Sequence, residues 1–223
     1  MAVFFITGYF GVGLNVDPAA ASDFGTALDR RIPFIAATVW VYLWVFPASL
    51  LPLFLVRCKH LFRRTLLAYG IAIAVSLIFF IALPVTSIAL RADAAELDLT
   101  RSSPRAVAAV YRLDPPVNLF PSLHLSIAAL AALSAFKARR AYGAVASVGV
   151  ALIAVSICTV KQHFVLDAVG GAGLAALVYA VVLHPYEPEP GTDPAYGWRG
   201  PAAYVLLLVA VYAGIYTGFV SAS

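Results

Sequence analysis

Charge is scarce in this chain of 223 residues. Asp, Glu, Lys and Arg together make up 12% of it, about half of the roughly 25% usual for a soluble domain. The chain has only two cysteines, Cys58 and Cys158, too few for a disulfide framework. No Lys or Arg precedes Arg30. A cleaved signal peptide wants a basic start, so the Ala19-Ala20-Ala21 run is not read as a cleavage site. No internal repeat and no low-complexity domain is visible. What fills the chain instead is apolar: 62% of residues, with a mean hydropathy of +0.91. A water-soluble globule of this size has too much surface per volume to hide that fraction. Disorder needs the opposite composition. An ordinary soluble enzyme is therefore excluded, and the solvent is a bilayer.

A helix needs about 20 mostly apolar residues to cross the hydrocarbon core. Segments 32–56, 66–83, 123–136, 141–160, 164–182 and 202–220 read as spans. Residues 2–14 are apolar but short, either a full first span or a half-inserted one. The expected fold is thus all-α: a polytopic membrane helical bundle of about seven spans.

The loops sort by charge. Segment 57–64 carries Arg57, Lys59, Arg63 and Arg64, segment 137–140 carries Lys137, Arg139 and Arg140, and neither holds an acid. Two spans separate them, so both lie on one side, which the positive-inside rule makes cytoplasmic. The net charge of +4 then reflects membrane orientation rather than a nucleic-acid surface. Segments 15–31 and 84–120 and the turn at Lys161 face outward. Segment 15–31 reads as a linker, with an interfacial helix beside the site as the alternative. The Pro-rich segment 184–199 is a cytoplasmic connector. On this topology Cys58 and Cys158 lie near opposite faces and do not pair.

His60 and His184 fall beside cytoplasmic loops and read as solvated interfacial histidines. His124 and His163 differ, because each stands where a span begins on the outer side. Pro is favoured in a first helical turn, so the Pro121-Ser122-Leu123-His124 stretch places a helix start near Pro121. Its unpaired N–H groups and dipole form a ready anion site. Ser122 adds a hydroxyl donor. His163 and Asp167 are four apart and share a face if helical. A carboxylate there can accept Nδ1–H and leave Nε2 as nucleophile or base. An ionisable residue set one turn into apolar sequence is a functional hypothesis. Lys161 adds a cation beside it. Simple interfacial anchoring is the bland alternative. Two histidines and a carboxylate can also bind a metal, but Lys161 and the arginines of the outer loop repel a cation and attract phosphate. That loop holds Arg91, Arg101, Arg105 and Arg112 against Asp93, Glu96, Asp98 and Asp114, so only one or two arginines are free for an anion.

Pro121-Ser122-Leu123-His124 followed by Lys161-Gln162-His163-Phe164-Val165-Leu166-Asp167 resembles the type 2 phosphatidic acid phosphatase superfamily. That family carries P-S-G-H, then S-R-x5-H-x3-D, preceded by K-x6-R-P. The resemblance covers about residues 65–183. Leu123 replaces the motif glycine, a form similar to the branch with inositol phosphorylceramide synthases and related bacterial proteins. Ser156 fits the serine of the last motif, while Ile157 stands at its arginine, a cation that Lys161 can replace. Arg91 is the best match for the arginine of the first motif, but Ala92 follows it where the motif has Pro.

The resemblance implies a six-helix phosphatase core over residues 1–183. A connector and an extra C-terminal span follow over 184–223. It implies that His163 attacks phosphorus, that Asp167 orients His163, and that His124 protonates the leaving oxygen. Ser122, Lys161 and Arg91 would hold the phosphoryl oxygens. No metal or other cofactor is expected. The expected partners are a lipid phosphate or lipid pyrophosphate and the surrounding membrane lipids, at the outer face of a bacterial inner membrane. Transfer of the phosphoryl headgroup to an alcohol is the alternative outcome at the same site. A transporter using His124, His163 and Asp167 is disfavoured, because transporters gather charge at the midplane.

Overall fold

A computed structural model of the chain describes residues 2–187 and 197–220. Among these residues it contains helices and turns but no strand. The helices are α1 (Ala2–Asn15), α2 (Ala27–Arg31), α3 (Val39–Tyr42), α4 (Val45–Ala48), α5 (Leu51–Leu55), α6 (Lys59–Ala82), α7 (Ser102–Leu113), α8 (Leu123–Ala138), α9 (Arg140–Thr159), α10 (Val165–Val178) and α11 (Arg199–Val220). A π-helical turn, Tyr179–Leu183, prolongs α10.

Four helical segments are long and apolar enough to cross a membrane: Lys59–Ala82, Arg140–Thr159, Val165–Leu183 and Arg199–Gly218. The polytopic helical bundle is therefore present. The other three apolar segments are helical but shorter, covering Val3–Asn15, Ala36–Ala48 and Leu123–Ala138. The expected span 32–56 is not one rod. Pro47 and Pro52 each lack an N–H and crowd the carbonyl four residues back. Three-residue turns take over, as in the bonds from Trp44 N to Val41 O and from Leu50 N to Pro47 O, both 3.0 Å. The basic segment read as a loop at 57–64 is largely the first turns of α6, so Lys59, Arg63 and Arg64 ride on a helix. Part of the expected connector, residues 188–196, lies outside the described residues.

Helix α8 sits at the centre, packed on α6, α9 and α10. Its buried side chains are mostly small, with Ala128, Ala131, Ala132, Ser134 and Ala135 among them. Small residues let helices approach closely where lipid gives no hydrophobic drive for association. Helix α11 rests on the outside, against α5 and α7. Trp44 Nε1 donates to Tyr204 of α11 at 3.0 Å.

The segment before α2 and those at 84–118 are stitched together near the start of α8. Ser22 N donates to Pro84 O at 2.8 Å, Thr86 N to Ser22 O at 2.9 Å, and Ser87 N to Pro116 O at 2.9 Å. Segment 15–31 is thus more than the expected linker: it carries α2 and buries Asp29 against α10.

Candidate functional site

The site forms where α8 and α10 begin. Ser122 is the N-cap of α8, its Oγ accepting from Leu125 N at 3.4 Å. The helix therefore starts at Leu123, two residues after Pro121. Ser122 N donates to Asp167 O at 3.0 Å, and Ser126 Oγ donates to Gly171 O at 2.9 Å. A Cβ on Gly171 would lie 2.5 Å from Ser122 O. Only glycine lets the two helix starts meet this closely.

The second half of the site is the turn from α9 to α10. Gln162 N and His163 N both donate to Ile157 O at 3.1 Å, which closes that turn. Lys161 adopts a left-handed backbone, with φ of 59°, which costs roughly 1–2 kcal/mol for a residue with a Cβ. Its ammonium donates to Ile32 O and to Asp29 O, the latter at 2.9 Å, and both acceptors belong to a strap made by α2 and its C-cap Ile32. Burial lowers the Lys161 pKa, and the Asp29 carboxylate opposes that shift.

His163 precedes α10 rather than lying on it. Asp167 Oδ2 accepts from Phe164 N at 2.9 Å and stands 3.4 Å from His163 Nδ1. The carboxylate thus caps the helix and faces the imidazole with one oxygen. Neither His163 Nδ1 nor Asp167 Oδ1 makes a hydrogen bond. Asp29 Oδ1 accepts from Val165 N at 2.8 Å. The amides of the N-cap Phe164 and of Val165 are therefore taken by carboxylates.

The two imidazoles meet. His124 Nδ1 lies 3.1 Å from His163 Nε2, with ring centroids 5.4 Å apart. His163 and Asp167 are almost fully buried. Of the six expected site residues, His124, His163 and Asp167 come together. Ser122 lies behind them as a cap, and Lys161 turns away to the strap. Arg91 lies alongside. It donates to Tyr111 O at 2.9 Å, Asp114 O at 3.0 Å and Gln162 Oε1 at 2.7 Å, and it stacks on the Tyr111 ring. Buried polar atoms without partners gather here: Arg91 Nε and Gln162 Nε2 join those of His163 and Asp167. Unpaired buried polar groups are rare in folded proteins. Among the described residues no group of three or more His, Cys, Asp or Glu is arranged to hold a metal ion.

A groove of about 340 Å³ runs from His124 along α6, lined by Phe5, Val45, Leu50, Phe62, Ile73 and Ile127 among others. Its hydroxyls are turned into the protein. Thr65 donates to Leu61 O at 2.9 Å, Tyr69 to Ser49 O at 3.1 Å, Ser49 to Phe46 O at 2.7 Å, and Tyr9 to Asp114.

Sequence reasoning missed four residues here. Gln162 stands inside the Lys161–Asp167 stretch without a signal of its own. Asp29 had one signal, Thr26 three residues before it, which is capping-box spacing. Asp114 and Tyr42 had none.

Residues 13–181 of the chain match the model of the PAP2 superfamily. No curated protein and no solved structure matches the chain. The matched stretch holds His124, His163 and Asp167 and leaves α11 outside.

Proposed function

This chain belongs to the PAP2 superfamily, which supports a phosphatase-type hydrolase, and from that premise we propose that it removes phosphate from a phosphorylated lipid through a phosphohistidine at His163. His163 Nε2 attacks phosphorus while the bond to the leaving oxygen breaks, and His124 gives that oxygen its Nδ1 proton. Water then gives a proton back to His124 and attacks phosphorus. The N–P bond breaks and inorganic phosphate departs. Asp167 beside Nδ1 stabilises the positive charge that His163 gains. A covalent intermediate divides one slow displacement into two easier ones, and the remaining need is positioning and charge stabilisation.

The observation that carries this reading is the 3.1 Å approach of the two imidazoles at the head of an apolar groove. The groove follows α6 from Phe62 to Ile73, a rise of about 16 Å. That is close to half of a hydrocarbon core about 30 Å thick. With its hydroxyls satisfied internally, the groove favours an alkyl or isoprenoid chain whose phosphate sits at His124. A lipid phosphate and a lipid pyrophosphate share this chemistry. The basic residues Lys137, Arg139 and Arg140 lie at the opposite end of α8 from His124. That supports a site on the outer side of a bacterial inner membrane.

The test is phosphate release from phosphatidic acid in detergent, with a chelator present, by the full chain and by His163→Ala. Release by the wild type, its loss in the variant, and an alkali-stable, acid-labile phosphate on the wild type alone are expected. Release that survives His163→Ala refutes the nucleophile. Release stopped by the chelator points to a metal. Headgroup exchange between lipids without phosphate release points to a transferase.

A further inference from the structure

Beyond the pair of histidines and Asp167, a second carboxylate reaches the site from the other side. His124 turns Nδ1 to His163, and its other nitrogen, Nε2, lies 3.5 Å from the hydroxyl of Tyr42. Tyr42 donates that hydroxyl's proton to Asp114 Oδ2 at 3.0 Å, and Tyr9 donates to Asp114 Oδ1. The Tyr42 ring also packs on the His124 ring, with centroids 5.5 Å apart, and Phe46 meets that ring edge-on at 6.2 Å. Three elements far apart in sequence meet at Asp114, beside this imidazole: α1 through Tyr9, α3 through Tyr42, and the C-terminal cap of α7, Asp114 itself.

The geometry points to Asp114 and Tyr42 as positioning residues that act on His124 as Asp167 acts on His163. The hydroxyl of Tyr42 spends its proton on Asp114, so its oxygen is left to accept from Nε2–H of His124. That contact keeps a proton on Nε2 in both charge states of the ring. Nδ1, the nitrogen facing the reacting centre, is then the one that loses and regains a proton. The negative charge of Asp114, relayed through the hydroxyl, stabilises the imidazolium that must exist before the leaving oxygen is protonated. When the phosphorus–oxygen bond breaks, the Nδ1 proton passes to the alkoxide and the neutral ring keeps its Nε2–H. The charged and titratable groups near His124 include His163, Tyr42, Tyr9, Tyr69 and Asp114. Arg91 donates to the backbone carbonyl of Asp114 rather than to its carboxylate. The carboxylate is thus left to the two tyrosines. A catalytic imidazole oriented by a group hydrogen-bonded to its far nitrogen is a general device of acid–base catalysis. Here a tyrosine hydroxyl extends the reach of the carboxylate.

The kinetic consequence of this arrangement rests on the proposed phosphatase reading, whereas the state of the His124 ring does not. The test therefore has two arms, both on the purified full chain in detergent. In the first, kcat/KM is measured for an alkyl phosphate and for nitrophenyl phosphate, with wild type, Tyr42→Phe and Asp114→Asn. The alkoxide needs a proton to leave and nitrophenolate does not. A loss of roughly 10- to 100-fold is expected for the alkyl ester, within the range of general-acid effects, against less than about 3-fold for the aryl ester. Equal losses on both esters, or none on either, overturn the inference, because a purely structural role does not sense the leaving group. In the second arm, 15N-labelled histidine reports the tautomer of the neutral His124 ring, assigned with His124→Gln. The Nε2–H form is expected in the wild type, with Nδ1–H gaining in Tyr42→Phe. An unchanged ring overturns the inference whether or not the chain releases phosphate. If the wild type hydrolyses neither ester, the phosphatase reading falls and the second arm still decides this one.

Discussion

His124 Nδ1 and His163 Nε2 face each other at 3.1 Å across 39 residues of sequence. A phosphorus atom attacked by one nitrogen, with its leaving oxygen bonded to the other, needs roughly 3 Å on each side. The rings must therefore part to about 6 Å between nitrogens when substrate binds. A structure with vanadate or phosphate bound is expected to show the anion between the rings at that separation. An anion seated elsewhere, with the rings still in contact, defeats the arrangement. In solution, His163→Ala is expected to lower phosphate release by at least about 10³-fold, as for loss of other nucleophiles.

The groove makes a separate prediction. Ile127 lines it together with His124, so Ile127→Trp narrows the groove. A long-chain lipid phosphate is expected to lose about tenfold or more in kcat/KM, while a short-chain phosphate changes little, because pocket filling discriminates by chain contact. Equal effects on long and short chains mean that the chain lies elsewhere.

Gly171 sets how closely α8 and α10 meet. An added Cβ would stand 2.5 Å from the Ser122 carbonyl oxygen, which is backbone and cannot swing aside. Gly171→Ala is expected to cost about 1–3 kcal/mol through overpacking. It should also weaken catalysis by moving His124 away from His163. Thermal unfolding and phosphate release measured together check this. Gly173→Ala is the control, since a Cβ there meets nothing within 4 Å.

Much of this was legible in the sequence. All seven apolar segments are helical, and His124 and Asp167 stand in the first turns of α8 and α10, while His163 falls just before the cap of α10. The failures have physical causes. Hydropathy counts apolar atoms, so segment 32–56 looked continuous although Pro47 and Pro52 break it. Asp29 sat in a stretch read as linker because its partners, the Lys161 ammonium and the Val165 amide, lie 132 and 136 residues away. Asp114 was one acid among four in an outer loop. Nothing in that loop says that its carboxylate turns inward to Tyr9 and Tyr42, 105 and 72 residues earlier. Lys161 stood close enough in sequence to pass for a phosphate ligand, and only the fold shows its ammonium held by two carbonyls.

That strap yields the last prediction. Burial alone would raise the Asp29 pKa, but the Thr26 hydroxyl and the amides of Val165 and Thr26 donate to its carboxylate and hold it below the ordinary 3.8. A depressed carboxylate pKa contributes stability that is fully present above the unfolded value and is lost as pH falls through the folded one. The strap should therefore stay closed at neutral pH and loosen only below about pH 4. Asp29→Asn is expected to lower the melting temperature at pH 7 and to reduce the loss of stability on acidification. Lys161→Met removes the two bonds to Asp29 O and Ile32 O, so it should lower the melting temperature as well. If the ammonium serves only the strap, KM for the phosphorylated lipid stays within about 3-fold, because no transition-state contact is lost. A large rise in KM at unchanged stability would instead make Lys161 a phosphate ligand that swings inward on binding. Thermal unfolding as a function of pH, with KM for each variant, distinguishes the two.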